Sequence, residues 1–93
     1  MRHTPVIVMD RENLYAPGWS HVLSTTNDLA ELEAFRVHVG APPEALHLGN
    51  PRWPHLDLKL EPRDRALASP EVRVFDRTPD MLRYLRGLAR PAG

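Results

Sequence analysis

Cysteine is absent from this 93-residue chain. Disulfides, thiolate zinc sites, iron–sulfur clusters and cysteine nucleophiles are therefore excluded. Charge of one sign is also lacking: twelve basic side chains, eleven of them arginine, face twelve acidic ones. Without a positive excess, the phosphate neutralisation that drives non-specific nucleic-acid binding is weak, so nucleic acid is not the expected partner. The apolar run near the start, Val6 to Met9, is too short for a signal peptide or a bilayer span. A soluble, cytoplasmic protein with no membrane association is the expectation. No Walker loop, dinucleotide-binding glycine motif, nucleophile elbow or zinc-protease helix occurs in the chain.

What is present is globular: 42% of residues are hydrophobic and 26% charged. Residues 1–93 read as a single domain, with 91–93 as a frayed tail. A domain this small buries only about two-thirds of its unfolded surface, so pairing as a homodimer would add to its stability.

Thr4 to Met9 reads as a buried strand ending at Asp10, and Pro17-Gly18 closes the loop after it. Trp19 to Ser24 reads as a second strand, with Trp19, His21 and Leu23 on one face. A helix over 28–39 follows, with Asn27 as N-cap and Gly40 as C-terminal stop. Its apolar side is Leu29, Leu32, Phe35 and Val39.

Ala45 to Leu48 reads as a weak strand, and a proline-stiffened loop carries Asn50 and Trp53. His55 to Leu60 alternates, so Leu56, Leu58 and Leu60 face a core while His55, Asp57 and Lys59 share the other side. A short helix from Pro62, a strand over 72–75 and a helix from Thr78 complete the chain. That last helix should bury Met81, Leu82, Leu85, Leu88 and Ala89 and expose Arg83, Arg86 and Arg90. Strands alternating with helices predict an α/β sandwich. Its sheet should be partly parallel, of about five short strands, with three helices and βαβ units over 19–48 and 55–75.

Ligands of open α/β sheets gather beyond the carboxyl ends of the strands, where this reading places Asp10, Asn50 and Asp76. Converging carboxylates there could hold a divalent ion; equally, an aspartate after a strand can simply turn the chain. His55 and Asp57, two residues apart on a strand, point the same way. They could bind a metal with a third ligand such as His21 or His47, or Asp57 could orient His55 as a base. An ordinary solvated sheet face satisfies the same spacing. Trp53 beside Arg52 could stack on a ring or close the core under its loop.

Several of these landmarks together resemble the bacterial and phage family catalogued as domain of unknown function 4031. The matching residues are Val6-Ile7-Val8-Met9-Asp10, Trp19-Ser20-His21-Val22, Glu31-Leu32-Glu33-Ala34-Phe35, Gly40, His55-Leu56-Asp57 and Arg63. Leu56 stands where the family pattern has tyrosine, Leu46-His47 where it has an aromatic and glutamine, and Arg11 where it has a second acid. The resemblance implies no activity; it singles out Asp10, His21, His55, Asp57 and Arg63 as one polar cluster.

The expected function is metal-assisted hydrolysis of a phosphate-containing or nucleotide-like small molecule. Asp10 and Asp57 would hold a divalent metal ion, and His55 or His21 would move protons. Arg63, with Asn50 and Trp53, would hold the ligand. The alternative is a non-catalytic module that binds a small anionic ligand or a protein partner.

Overall fold

The computed structural model describes residues 6–88. The expectations for Thr4, Pro5, Ala89, Arg90 and the 91–93 tail lie outside the described residues. Five strands, β1 (Ile7–Glu12), β2 (Trp19–Ser24), β3 (Leu46–His47), β4 (His55–Lys59) and β5 (Val72–Arg77), form one sheet. Three helices accompany them: α1 (Leu29–Val39), α2 (Leu60–Ala68) and α3 (Thr78–Arg86). The strand order is β3-β4-β2-β1-β5. Only β1 and β5 pair in parallel; the other neighbours are antiparallel. The partly parallel α/β sheet is therefore present, but the strands of the two expected βαβ units are not neighbours. β4 lies between β2 and β3, and β2 and β1 lie between β4 and β5.

Alternation along the strands decides which helix goes where. Ile7, Met9, Val22, Leu56 and Leu58 form one buried core with Leu32 and Val39 of α1 and Ala66 of α2. On the opposite face, Val8 and Leu23 pack with Met81 and Leu85 of α3, and Trp53, Phe75 and Leu82 lean against them. Both faces of β1 are thus covered, which is why Ile7-Val8-Met9 is apolar without a break. The helix α3 is short, nine residues, and packs chiefly on β1 and β5. The same face of β2 and β4 carries His21, His55 and Asp57 instead of a third apolar row.

Local chemistry corrects some boundaries. Asp28, not Asn27, caps α1: its carboxylate accepts the backbone N–H groups of Ala30 and Glu31. Asn27 instead takes a left-handed turn with φ 58°. Gly40 ends α1 as expected, at φ 75°. Leu29, expected in the core, is the first residue of α1 and is exposed. Leu60 does not continue the apolar face of β4. The strand ends at Lys59, the chain turns through φ 54° at Leu60, and that side chain is 73% exposed. Strand β1 runs on to Glu12, so Asp10 lies inside a strand rather than after one.

Candidate functional site

The pairing of β2 with β4 places His21 directly opposite Asp57. The β3–β4 pairing places His47 opposite His55. Four polar side chains from three neighbouring strands thus share one sheet face. The His21 and His55 rings meet edge-on at 5.4 Å between centroids, and His47 stacks on His55 at 5.2 Å.

Behind this group lies a buried anchor. Asp10 is fully buried, and such a carboxylate is tolerable only when hydrogen-bonded. Its Oδ1 accepts the backbone N–H of His21 at 2.6 Å. Its Oδ2 accepts Thr78 Oγ1 at 2.6 Å and His21 Nδ1 at 3.0 Å. The Thr78 hydroxyl in turn accepts the N–H of Leu14 at 3.0 Å, so the carboxylate ties together β1, β2, α3 and the loop after β1. Because a carboxylate only accepts, the bond from His21 puts a proton on Nδ1. Asn13 Nδ2 lies 3.1 Å from His21 Nε2. The Tyr15 N–H donates to Asn13 Oδ1 at 2.8 Å, which orients that amide with its donor towards the ring. The lone pair of His21 is therefore on Nε2, where it accepts the Asn13 N–H; an ion bound there would displace that hydrogen bond.

His55 is oriented in the same way by a different partner. Its Nδ1 lies 2.9 Å from the Trp53 carbonyl oxygen, which can only accept. The Nε2 lone pair then faces Asp57 Oδ1 at 3.5 Å. That oxygen is buried and has no hydrogen-bond partner, while the other, Oδ2, lies 3.1 Å from His47 Nε2. Two electron-rich atoms turned towards each other are stable only with a cation between them, a proton or a metal ion. The electrostatics agree. The Asp57 carboxylate raises the pKa of His55, against the opposing effect of burial and with help from the Trp53 carbonyl and the charge of Asp10. Burial pushes Asp57 up, but His55 and the charges of His47 and His21 outweigh it, and its pKa is lowered.

His21, His55 and Asp57 could hold a metal ion: one ligand atom from each lies within 4.8 Å of the others. Asp10, expected as a metal ligand beside Asp57, does not belong to this set. Its oxygens are engaged by His21 and Thr78, and it stands behind His21, a member of that set. A carboxylate that receives the far N–H of a metal-binding histidine is the usual outer support of such a ligand.

The other expected residues disperse. Arg63 does not line the cluster: its Nε donates to Ser20 Oγ at 2.9 Å and its Nη2 to the Arg11 carbonyl. Ser20 alternates with His21 along β2, so Arg63 lies across the sheet from the histidines. Asn50 turns its own loop, accepting the Arg52 N–H at 3.0 Å. Asp76 pairs with Arg11 at 3.4 Å on the surface. Trp53 closes the second core and also lines a cavity of about 210 Å³ bordered by His21, His55 and Thr78. A second cavity, about 360 Å³, has Asp57 and His47 on its wall, so the cluster borders both. The sequence reading missed Asn13 and the roles of Thr78 and Tyr15 here. The partners of Thr78 (Asp10 and the Leu14 N–H) lie more than sixty positions away; Asn13 and Tyr15 bond close by, but no motif marks the turn that joins them to His21.

No family model, curated protein or solved structure matches this chain.

Proposed function

We propose that His21, His55 and Asp57 hold a divalent transition-metal ion, and that the protein uses it to hydrolyse a small phosphate-containing or nucleotide-like molecule. The observation that carries this is the facing pair of His55 Nε2 and Asp57 Oδ1, one a lone pair and the other an unpartnered buried oxygen, with His21 in reach. Two imidazoles and one carboxylate suit zinc, manganese or iron better than magnesium or calcium, which take oxygen ligands. Three protein ligands leave coordination positions open, the pattern of catalytic rather than structural sites. A metal so held supplies an activated water near neutral pH. The chain's own contribution is to fix both ring tautomers through Asp10 and the Trp53 carbonyl.

The water's oxygen would bond to phosphorus, the ester oxygen would leave with a proton, and the phosphate would be released. His47, half exposed and within hydrogen-bonding distance of Asp57, would exchange that proton with solvent. Metal-free protein reloaded with zinc or manganese should bind one ion per chain in calorimetry and release phosphate from a panel of small phosphate esters. Binding without turnover would leave the non-catalytic ligand-binding reading. Absence of binding by either metal would end this one.

A further inference from the structure

The 210 Å³ cavity beside the cluster has a chemistry of its own. Its floor is the buried pair Leu23 and Met81, and Leu82 and the indole of Trp53 form its walls. At the rim stand Tyr15, which is 81% exposed, and Arg86. Arg86 forms no ion pair with a described residue, unlike Arg83 one turn earlier, which pairs with Asp80 at 3.3 Å. The cavity is smaller than the roughly 300–1,000 Å³ of sites that enclose a drug-sized ligand. It has room for one flat ring with the rest of the molecule outside. Flat rings favour aromatic walls because every such ring offers a π-face. An unpaired guanidinium at the mouth favours a phosphate or carboxylate on what remains outside.

The larger cavity is a poorer seat for an anion-bearing ring: the carboxylates of Glu44 and Asp57 are in its lining and would repel a phosphate, whereas none of the described residues that line the smaller cavity is acidic.

We infer that this cavity takes the planar base of a nucleoside monophosphate, with the ring against Trp53 and the phosphate on Arg86. The inference rests on the proposed metal centre only for which end of the molecule would react, since the cavity recognises ring and anion without a metal. It is therefore tested in metal-free protein, with chelator present.

With Trp19→Phe in the background, Trp53 is the remaining tryptophan of the two in the chain and reports binding directly. Uridine monophosphate, uridine and ribose phosphate are titrated in turn. Uridine monophosphate should quench Trp53 saturably and bind about tenfold tighter than ribose phosphate, the scale of one base stacked on one aromatic side chain. Arg86→Gln, an exposed change, should erase the advantage of uridine monophosphate over uridine. Trp53→Leu, followed by calorimetry, should bring uridine monophosphate and ribose phosphate to within about twofold, the loss expected when the stacking face is removed. Equal binding of the two phosphates to the Trp53-containing protein would overturn the inference, whether or not Trp53→Leu folds. So would a ring preference that survives Trp53→Leu, an undiminished phosphate advantage in Arg86→Gln, or no saturable binding of any probe. Failure here leaves the metal centre standing, and failure to bind metal leaves this result untouched.

Discussion

His55 Nε2 and Asp57 Oδ1 stand 3.5 Å apart on one face of a strand, and the carboxylate oxygen accepts no hydrogen bond. A proton or a metal ion completes this pair, and each makes a measurable difference to the protein.

Metal should stabilise the fold. At a hundredfold excess over Kd, a ligand specific for the folded state contributes about 2.7 kcal/mol. For a domain of this size that corresponds to a rise in Tm of roughly 10–20 °C. Differential scanning fluorimetry with zinc or manganese should show that rise in the unaltered protein. Asp57→Asn and His55→Ala should remove it. A rise that persists in both variants would place the ion elsewhere.

Protonation should shape the stability of the metal-free protein. The pKa of His55 is raised, so its contribution is complete below the unfolded value of about 6.5 and disappears as pH climbs through the folded value. The pKa of Asp57 is lowered, so its contribution is complete above the unfolded value of about 3.9 and disappears as pH falls through the folded value. Urea unfolding across pH should show a plateau between these limits. In Asp57→Asn the alkaline fall should flatten, because the carboxylate is the largest cause of the His55 shift. An identical alkaline fall in that variant would show that some other group produces it.

Asp10 is expected to act through His21. Asp10→Asn keeps the shape but replaces one acceptor of the set by a donor. It should weaken metal binding by about 10–100-fold, the usual cost of losing an outer support of a ligand. Thr78→Val should cost about 1–3 kcal/mol in unfolding experiments, since it strips a partner from a buried carboxylate and from the Leu14 N–H. Unchanged metal affinity in Asp10→Asn would make the carboxylate purely structural.

Helix α3 offers a plain test of its amphipathic face. Leu85, 1% exposed against the sheet, should cost about 2–5 kcal/mol when truncated to alanine. Replacing Arg83 and Arg86 by glutamine should change stability by less than about 0.5 kcal/mol. Equal losses in both experiments would contradict the packing described here.

Leu60 is strained and exposed together, at φ 54°. Leu60→Gly removes the left-handed penalty of roughly 1–2 kcal/mol while adding unfolded-state freedom. The net result should be a gain of up to about 1 kcal/mol in thermal unfolding. A loss of stability would mean that the side chain has a partner.

Local physics was readable directly in the chain. Alternation put His55 with Asp57, and Trp19 with His21, on shared faces. Gly40 announced the end of α1, and the period of Met81, Leu82 and Leu85 oriented α3. Each of these depends on neighbours within a few residues, so spacing and residue type suffice. Spacing left His21 and His47 open as companions of the His55–Asp57 pair, and the sequence reading set Asp10 beside Asp57 as the expected metal-binding carboxylate, a pairing that no local pattern could test.

Only the tertiary structure brought His21, His55 and Asp57 into one cluster. His21 faces Asp57 because β2 and β4 pair antiparallel in one register, and that register follows from burying Val22, Leu56 and Leu58 together beneath α1 and α2. The same packing sent Arg63 to the opposite side of the sheet, because its hydrogen-bonding partner, Ser20, alternates with His21. It also brought Thr78 to Asp10 across 68 positions of chain. No local pattern encodes such meetings: they are set by the shared burial of apolar faces, and the polar residues go where that burial carries them.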